Sequence, residues 1–426
     1  MADLMKVALL IFLLYYIASA LFTFYLLFKE KGHIDNERLI SRIRRKTLLE
    51  KGFLDFLQYS LADDEQAPLP QHIDSVKWHE MHEFGKKQAI LGIYFHGIMK
   101  LDAKMKAEQD KQKSHEIFKG NKPTIQELGK WMLTQQNITK SNDKLFHWCG
   151  KIYQKFSQQG LECYILKGQG NNYYYPDLYE RIPGDIDVVI NSNRKTILKY
   201  CKKSIKKYDI KYRHIEFHKD GIIIEVHFFP VHMNNPFNDR RLQRWFKEHI
   251  QEQCHHLVEL PHHYGKMPIP TVEFSLISQL GHVLQHELTD GVGLRQVIDY
   301  YYLVKAFHRQ DKETDFNYTT LTKEFGLYRF AQAMMWILRE ILGIEEEKLL
   351  VPPDDLAGSI LWNDIMDGGN FGKYYQDDSI IEERSPLKRF FLIIKRNNRY
   401  MKLYPSEVLW VPLIRIWHFT WQLFNR

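Results

Sequence analysis

The sequence predicts an α+β protein: a small mixed β-sheet flanked by N- and C-terminal helical regions, with an N-terminal transmembrane helix. Three observations carry that expectation. A long apolar run opens the chain, and apolar residues at helical spacing fill much of the rest before residue 160 and after residue 271. Between them lie short apolar runs bounded by turn residues, which read as strands.

The composition sets the frame. The 426 residues are 44% hydrophobic and 26% charged, which suits a globular chain and excludes a disordered one. A formal charge of +7 suits an anionic partner such as a nucleotide, a nucleic acid or an acidic membrane surface, without choosing among them. Cys149, Cys163, Cys201 and Cys254 are widely spaced and form no CxxC pair, so neither a disulfide framework nor a zinc ribbon is expected.

Val7 to Phe28 is apolar except for Ser19 and Thr23, the length of a bilayer-spanning helix. Ala18-Ser19-Ala20 resembles a signal-peptidase site, but the apolar run continues beyond it. Lys29, Lys31, Arg38, Arg42, Arg44, Arg45 and Lys46 follow the run, against Lys6 before it. That asymmetry predicts a single span, with the body of the protein on the cytoplasmic face of the membrane. A mis-assigned start and a buried apolar helix are the alternatives.

Residues 36–60 and 74–101 then read as amphipathic helices, and 102–123 as a solvated, charged linker. Thr124 can cap a new helix, and another runs from about Asp143 to a stop at Gln159-Gly160. Cys163 to Leu166 and Ile186 to Ile190 read as strands, 194–207 as a basic helix, and 212–217 with 222–228 as a hairpin turning at Lys219-Asp220-Gly221. Helices are expected again at 272–289, 294–307 and 327–342. The end of the chain interleaves Lys388, Arg389, Lys395, Arg396 and Arg399 with Trp410, Trp417 and Trp421, which fits helices packed on the protein's own core or lying on an anionic membrane. The expected organisation is therefore an anchor over 1–32, a helical region with a charged linker over 33–142, an α/β core over 143–235, a helical domain over 236–352 and a basic-aromatic tail over 353–426.

The chemistry concentrates in the core. Side chains alternate along a strand, so Asp185 and Asp187 share one face, one pleat apart. Two carboxylates this close repel, and a hard cation between them relieves the repulsion. Glu225 interrupts an otherwise apolar run, Gly-Ile-Ile-Ile-Glu-Val-His-Phe-Phe, and is costly there unless metal-bound or satisfied by Arg181 or His227. If its strand lies beside the first, Glu225 joins the same site, and three carboxylates can hold two Mg²⁺ ions. Upstream, Lys167-Gly168-Gln169-Gly170 ends a strand with glycines that let a backbone approach phosphate oxygens, and Lys167 and Arg181 add positive charge.

Together, Leu166-Lys-Gly168, Tyr175-Pro-Asp177, Arg181, Gly184-Asp-Ile-Asp187 and Glu225-Val-His227 resemble the bacterial uncharacterised nucleotidyltransferase family, within the DNA polymerase β-like nucleotidyltransferase superfamily. The resemblance runs from about residue 50 to 350. It implies a nucleotidyltransferase core, with Asp185, Asp187 and Glu225 as catalytic metal ligands and Mg²⁺, or Mn²⁺ in its place, as cofactor. It also implies a nucleoside triphosphate substrate near Lys167, Gly168, Gln169 and Arg181. The chain departs from the superfamily at Gly168-Gln169, where Gly-Ser is usual, and in a longer spacer from Gly168 to Asp185. The family has a similar histidine-bearing helix followed by Leu-Arg and Asp, so Arg295 either meets a phosphate or anchors a helix through Asp299.

The expected activity is transfer of a nucleoside monophosphate from a nucleoside triphosphate to a hydroxyl of a small molecule, glycan or protein, with no specific nucleic-acid partner. A metal-dependent glycosyltransferase using a nucleotide sugar and a catalytically degenerate binding module are the alternatives. His282 and His286 lie one helical turn apart and read as a polar-face pair rather than ligands. His255, His256, His262 and His263 read as solvated loop residues.

Overall fold

Alternation along the central strands explains how the fold is layered. Ile186, Val188 and Ile190 face one way, into a cluster with Ile224, Val226 and the helix residues Phe146, Cys149 and Ile152. Tyr164 and Val189 face the other way, into a second and larger cluster built mainly of helices. The sheet therefore divides two cores, and polar groups that share the Val189 face lie between the sheet and those helices.

The computed structural model describes residues 51–63, 67–70, 72–109, 122–310, 315–374, 392–393 and 396–425. The predicted span Val7 to Phe28 and its basic flank lie outside the described residues. No helix among the described residues is long and apolar enough to cross a membrane.

Helix α1 (Lys51–Leu61) is followed by α2 (Trp78–Gln88), α3 (Leu91–Gln109) and α4 (Ile125–Ser157). The single helix expected over 74–101 is thus two. Ala89 adopts a left-handed conformation (φ 56°), and Ile90 N–H bonds back to the Gly85 carbonyl, which turns the chain between them. Alanine is a strong helix former, so its type gives no warning of this break. Helix α3 runs on to Gln109, into the segment expected to be a linker; residues 110–121 lie outside the described residues.

The helices expected from Thr124 and from Asp143 are one continuous helix of 33 residues, so residue 143 falls inside α4. Thr124 caps it with a reciprocal bond: its hydroxyl accepts from Glu127 N–H while the Glu127 carboxylate accepts from Thr124 N–H. At the other end the chain leaves through Gly160 at φ 68°.

A five-stranded mixed sheet follows, in the spatial order β1, β2, β5, β4, β3. Its strands are β1 (Cys163–Ile165), β2 (Ile186–Ile190), β3 (Asp209–Ile210), β4 (His214–Lys219) and β5 (Ile222–His227), with α5 (Arg194–Ser204) between β2 and β3. The pair β2 and β5 is parallel; the other neighbours are antiparallel. The expected hairpin forms as β4 and β5, turning at Asp220 (φ 51°) and Gly221 (φ 76°).

Beyond it, α6 (Pro236–His255) leads to a short ribbon of β6 (Leu257–Glu259) and β7 (Lys266–Pro268). Helix α7 (Val272–Thr289) and helix α8 (Leu294–His308) form the wall opposite the polar sheet face. Then come α9 (Tyr318–Glu324), α10 (Tyr328–Glu340), α11 (Asp355–Gly368), α12 (Pro405–Val408) and α13 (Val411–Asn425). Tyr400, Met401, Leu403, Tyr404 and Val408 of the tail are buried in the larger core. Glu407 is fully buried there, accepting from Asn234 N–H, Asn235 N–H and Asn238 Nδ2 at 2.6, 3.3 and 3.1 Å.

Candidate active site

The parallel pairing sets Asp187 opposite Glu225 in register. Both side chains point to the sheet face that looks toward α7 and α8, and Asp185 enters the same space from the residue before β2. One oxygen from each of Asp185, Asp187 and Glu225 lies within 4.8 Å of the other two. The carboxylates expected to share a site are therefore brought together.

Their protonation follows from their neighbours. Asp187 repels the Asp185 charge, and burial adds to the effect, so the Asp185 carboxyl is pushed up. Burial also opposes the Asp187 charge, but Lys167 and His227 beside it hold its carboxyl below the usual range. Lys167 Nζ is 3.2 Å and His227 Nε2 is 2.8 Å from Asp187 Oδ1. The other oxygen, Asp187 Oδ2, is buried with no hydrogen-bond partner. An orphaned carboxylate oxygen beside two further carboxylates is a donor set that fits a hard divalent cation.

Glu225 Oε2 lies 3.1 Å from His227 Nε2. Burial disfavours the glutamate charge, yet His227 more than offsets it and its carboxyl is lowered. Conversely, burial works against an imidazolium at His227, while Asp187 and Glu225 raise it.

Not every expected binding residue reaches the cleft in a free state. Lys167 and Gly168 border it, and Gly168 takes φ 59° with Asp185's carbonyl 3.2 Å from where a Cβ would stand. Only glycine makes that tight turn without strain. Gln169 is buried and does not line the cleft, its Nε2 donating to Asn142 Oδ1 at 2.7 Å. Arg181 Nε and Nη2 donate to the two oxygens of Asp299 at 2.7 and 2.9 Å, so its charge is already matched. Burial alone would lower the Arg181 guanidinium, and Asp299 instead raises it.

Asp299 is thus taken by Arg181 and by Tyr175 Oη at 2.6 Å, which leaves Arg295 without it. Arg295 Nη1 donates to the Ile182 carbonyl at 3.1 Å, its Nε is buried without a partner, and burial pushes it down to about 10. The Phe371 ring lies 5.4 Å from its guanidinium. That approach needs a glycine: a Cβ on Gly293 would stand 2.7 Å from Asn370 Cα. Phe371 itself holds a left-handed backbone at φ 56°.

Sequence reasoning missed Arg213, His214 and Phe371, and read past His282 and His286. Arg213 and His214 border the cleft opposite α7. His282 Nε2 lies 3.1 Å from both Lys167 Nζ and His286 Nε2. Burial drives both of these imidazoles down, which keeps them neutral. A two-residue turn at Asp220-Gly221 sets His214 opposite His227, so the hairpin register was the signal that could have found it. Phe371 gave none. His255, His256, His262 and His263 are exposed, although His255 closes helix α6 and does not lie in a loop.

Three carboxylates thus share the cleft with Lys167, Arg213 and Arg295. Residues 74–343 match the sequence profile described as uncharacterised nucleotidyltransferase. The chain belongs to that family. For a nucleotidyltransferase of this family, the acidic pair and Glu225 fall inside the matched region, whereas Phe371 falls outside it. An antigenic nucleotidyltransferase-like protein from Paracoccidioides brasiliensis is similar at a TM-score of 0.34 and 12% identity, over 50% of this chain and 94% of that one, a likeness too slight to build on. No curated protein matches the chain.

Proposed function

We propose that this protein transfers a nucleoside monophosphate from a nucleoside triphosphate to an acceptor hydroxyl, with Asp185, Asp187 and Glu225 holding divalent ions. The observation that carries the reading is the convergence of three carboxylates from two parallel strands, facing three basic side chains. Mg²⁺, or Mn²⁺ in its place, would supply charge neutralisation at the phosphates and acidify the acceptor hydroxyl. In this reading Arg213 and Arg295 hold phosphate oxygens, since neither is matched by a carboxylate among the described residues as Arg181 is. Lys167 holds the γ-phosphate side and keeps Asp187 ionised. Glu225 takes the acceptor's proton as its oxygen bonds to the α-phosphorus; the bond from that phosphorus to the β-phosphate oxygen breaks, and pyrophosphate leaves.

The acceptor is a hydroxyl of a small molecule, glycan or protein. The run Val7 to Phe28 supports a single span that tethers the enzyme to the cytoplasmic face of a bacterial membrane. The order of the glycine turn, acidic pair and later acidic strand supports kinship with the DNA polymerase β-like superfamily. A nucleotide-sugar glycosyltransferase would need a doubly wound parallel sheet, and the sheet here has one parallel pair. A binding module that has lost turnover keeps one observation in its favour: Gln169, where a serine would serve phosphate, is buried against Asn142.

The test incubates the full-length protein with each α-labelled nucleoside triphosphate, Mg²⁺ and cell extract as acceptor source. Metal-dependent incorporation of label that disappears in Asp185→Ala, Asp187→Ala supports transfer. Tight nucleotide binding without incorporation for any base supports the module instead.

A further inference from the structure

The sheet face that carries Asp187 and Glu225 also carries two histidines from adjacent strands. His214 on β4 and His227 on β5 are register partners, with ring centroids 5.1 Å apart. Glu225 lies two residues before His227 and so shares its face. It offers one oxygen to each ring: Oε1 is 3.3 Å from His214 Nε2, and Oε2 is 3.1 Å from His227 Nε2. One donor atom from each of the three residues lies within 4.8 Å of the other two. Ligands about 2.0–2.2 Å from a shared ion need little more than this closeness.

A second observation points the same way. His214 is only 7% exposed, yet both its ring nitrogens are buried and make no hydrogen bond; the approach to Glu225 lacks hydrogen-bond geometry. A buried imidazole satisfied at neither nitrogen is expensive unless something occupies the space in front of it. That space is the cleft, which His214, Glu225 and His227 all border.

We infer that His214, Glu225 and His227 form a second cation site, sharing Glu225 with the three-carboxylate site and selecting a borderline transition ion such as Zn²⁺ or Co²⁺ over Mg²⁺. Two imidazoles and one carboxylate are the donors such ions favour, whereas Mg²⁺ takes oxygen donors and keeps its waters. The inference rests on reading the cleft as a metal centre, but its donors differ from those assigned to nucleotidyl transfer. An ion there also engages the His227 nitrogen that otherwise bonds Asp187, so the two positions are linked.

Co²⁺ is the probe, because its visible bands report nitrogen donors at low coordination number. Untagged full-length protein is freed of metal with a chelator and titrated with Co²⁺. The expected result is visible bands that one equivalent of Zn²⁺ abolishes and a large excess of Mg²⁺ does not. His214→Asn weakens Co²⁺ binding at least about tenfold, and Asp185→Asn keeps the bands. His214→Gln is read in parallel, each variant's fold being checked by circular dichroism. A colourless protein, displacement by Mg²⁺ as readily as by Zn²⁺, or unchanged Co²⁺ affinity in both folded His214 variants overturns the inference. Turnover of nucleotide does not enter the readout, so protein that binds Co²⁺ this way but never transfers a nucleotide defeats the transferase reading alone.

Discussion

Arg181 and Asp299 form a two-pronged ion pair between the segment before the acidic strand and helix α8, with Tyr175 Oη donating to the same carboxylate. Both charged residues are buried. The pair fixes α8, and with it Arg295, against the strand that carries Asp187. Replacing Asp299 by alanine leaves a buried guanidinium unmatched, which costs about 3–5 kcal/mol. Urea denaturation of Asp299→Ala should show that loss, and the double variant Arg181→Met, Asp299→Leu should recover most of it. Equal loss in both would mean that packing, not charge, holds this joint.

Asp187 is the most enclosed of the three carboxylates, with a wholly buried side chain. Asp187→Ala should lower nucleotidyl transfer by about 10²–10³-fold or more and weaken Mg²⁺ or Mn²⁺ binding measured by calorimetry. Retained metal affinity in a folded Asp187→Ala protein would contradict the assignment.

Gln169 stands where phosphate-binding serine is usual, but its side chain is spent on Asn142. Gln169→Ser should therefore not tighten nucleotide binding. It should instead destabilise the fold by about 0.5–1.5 kcal/mol, because the Asn142 carboxamide oxygen loses one of its two buried donors and keeps Asn172 Nδ2. Tighter binding of a fluorescent nucleotide by the serine variant would show that the turn is free to reach phosphate.

Glu407 gives a pH test away from the cleft. Burial pushes its carboxyl up to about 7, although Asn234, Asn235 and Asn238 donate to it. A raised carboxyl means the folded state binds the proton more tightly than the unfolded chain. Stability from this group is thus full below the ordinary glutamate range and declines until pH is about 7. At about 1.4 kcal/mol per pH unit the loss is on the order of 3 kcal/mol. The difference in urea-unfolding free energy between the unaltered protein and Glu407→Gln, followed from pH 4.5 to 8, isolates it, and a constant difference would refute it.

What could be read from residue order divides along physical lines. Helix α7 runs over the residues expected, because a capping threonine at Thr271 and an apolar pattern both announce it. The meeting of Asp187 with Glu225 was foreseeable, since an acidic residue in an apolar strand must find company. The turn at Ala89 was hidden, because a left-handed alanine is held by its surroundings and not by its type. Asp299 as the partner of Arg181 was equally hidden: the two lie 118 positions apart, and Arg295 was the nearer claimant. The burial of Gln169 against Asn142 is not legible either, because the Gly-Gln step carries no mark of a partner 27 positions away.

The cleft draws on distant stretches of chain, Lys167, Asp187, Arg213 and Glu225 preceding Arg295 and Phe371. A polypeptide leaving the ribosome therefore completes its carboxylate cluster, with Lys167 and Arg213 beside it, well before Arg295 exists. Until α8 docks, the nascent cleft is open on the side that Arg295 and Phe371 will close, so its lining is complete only late in synthesis.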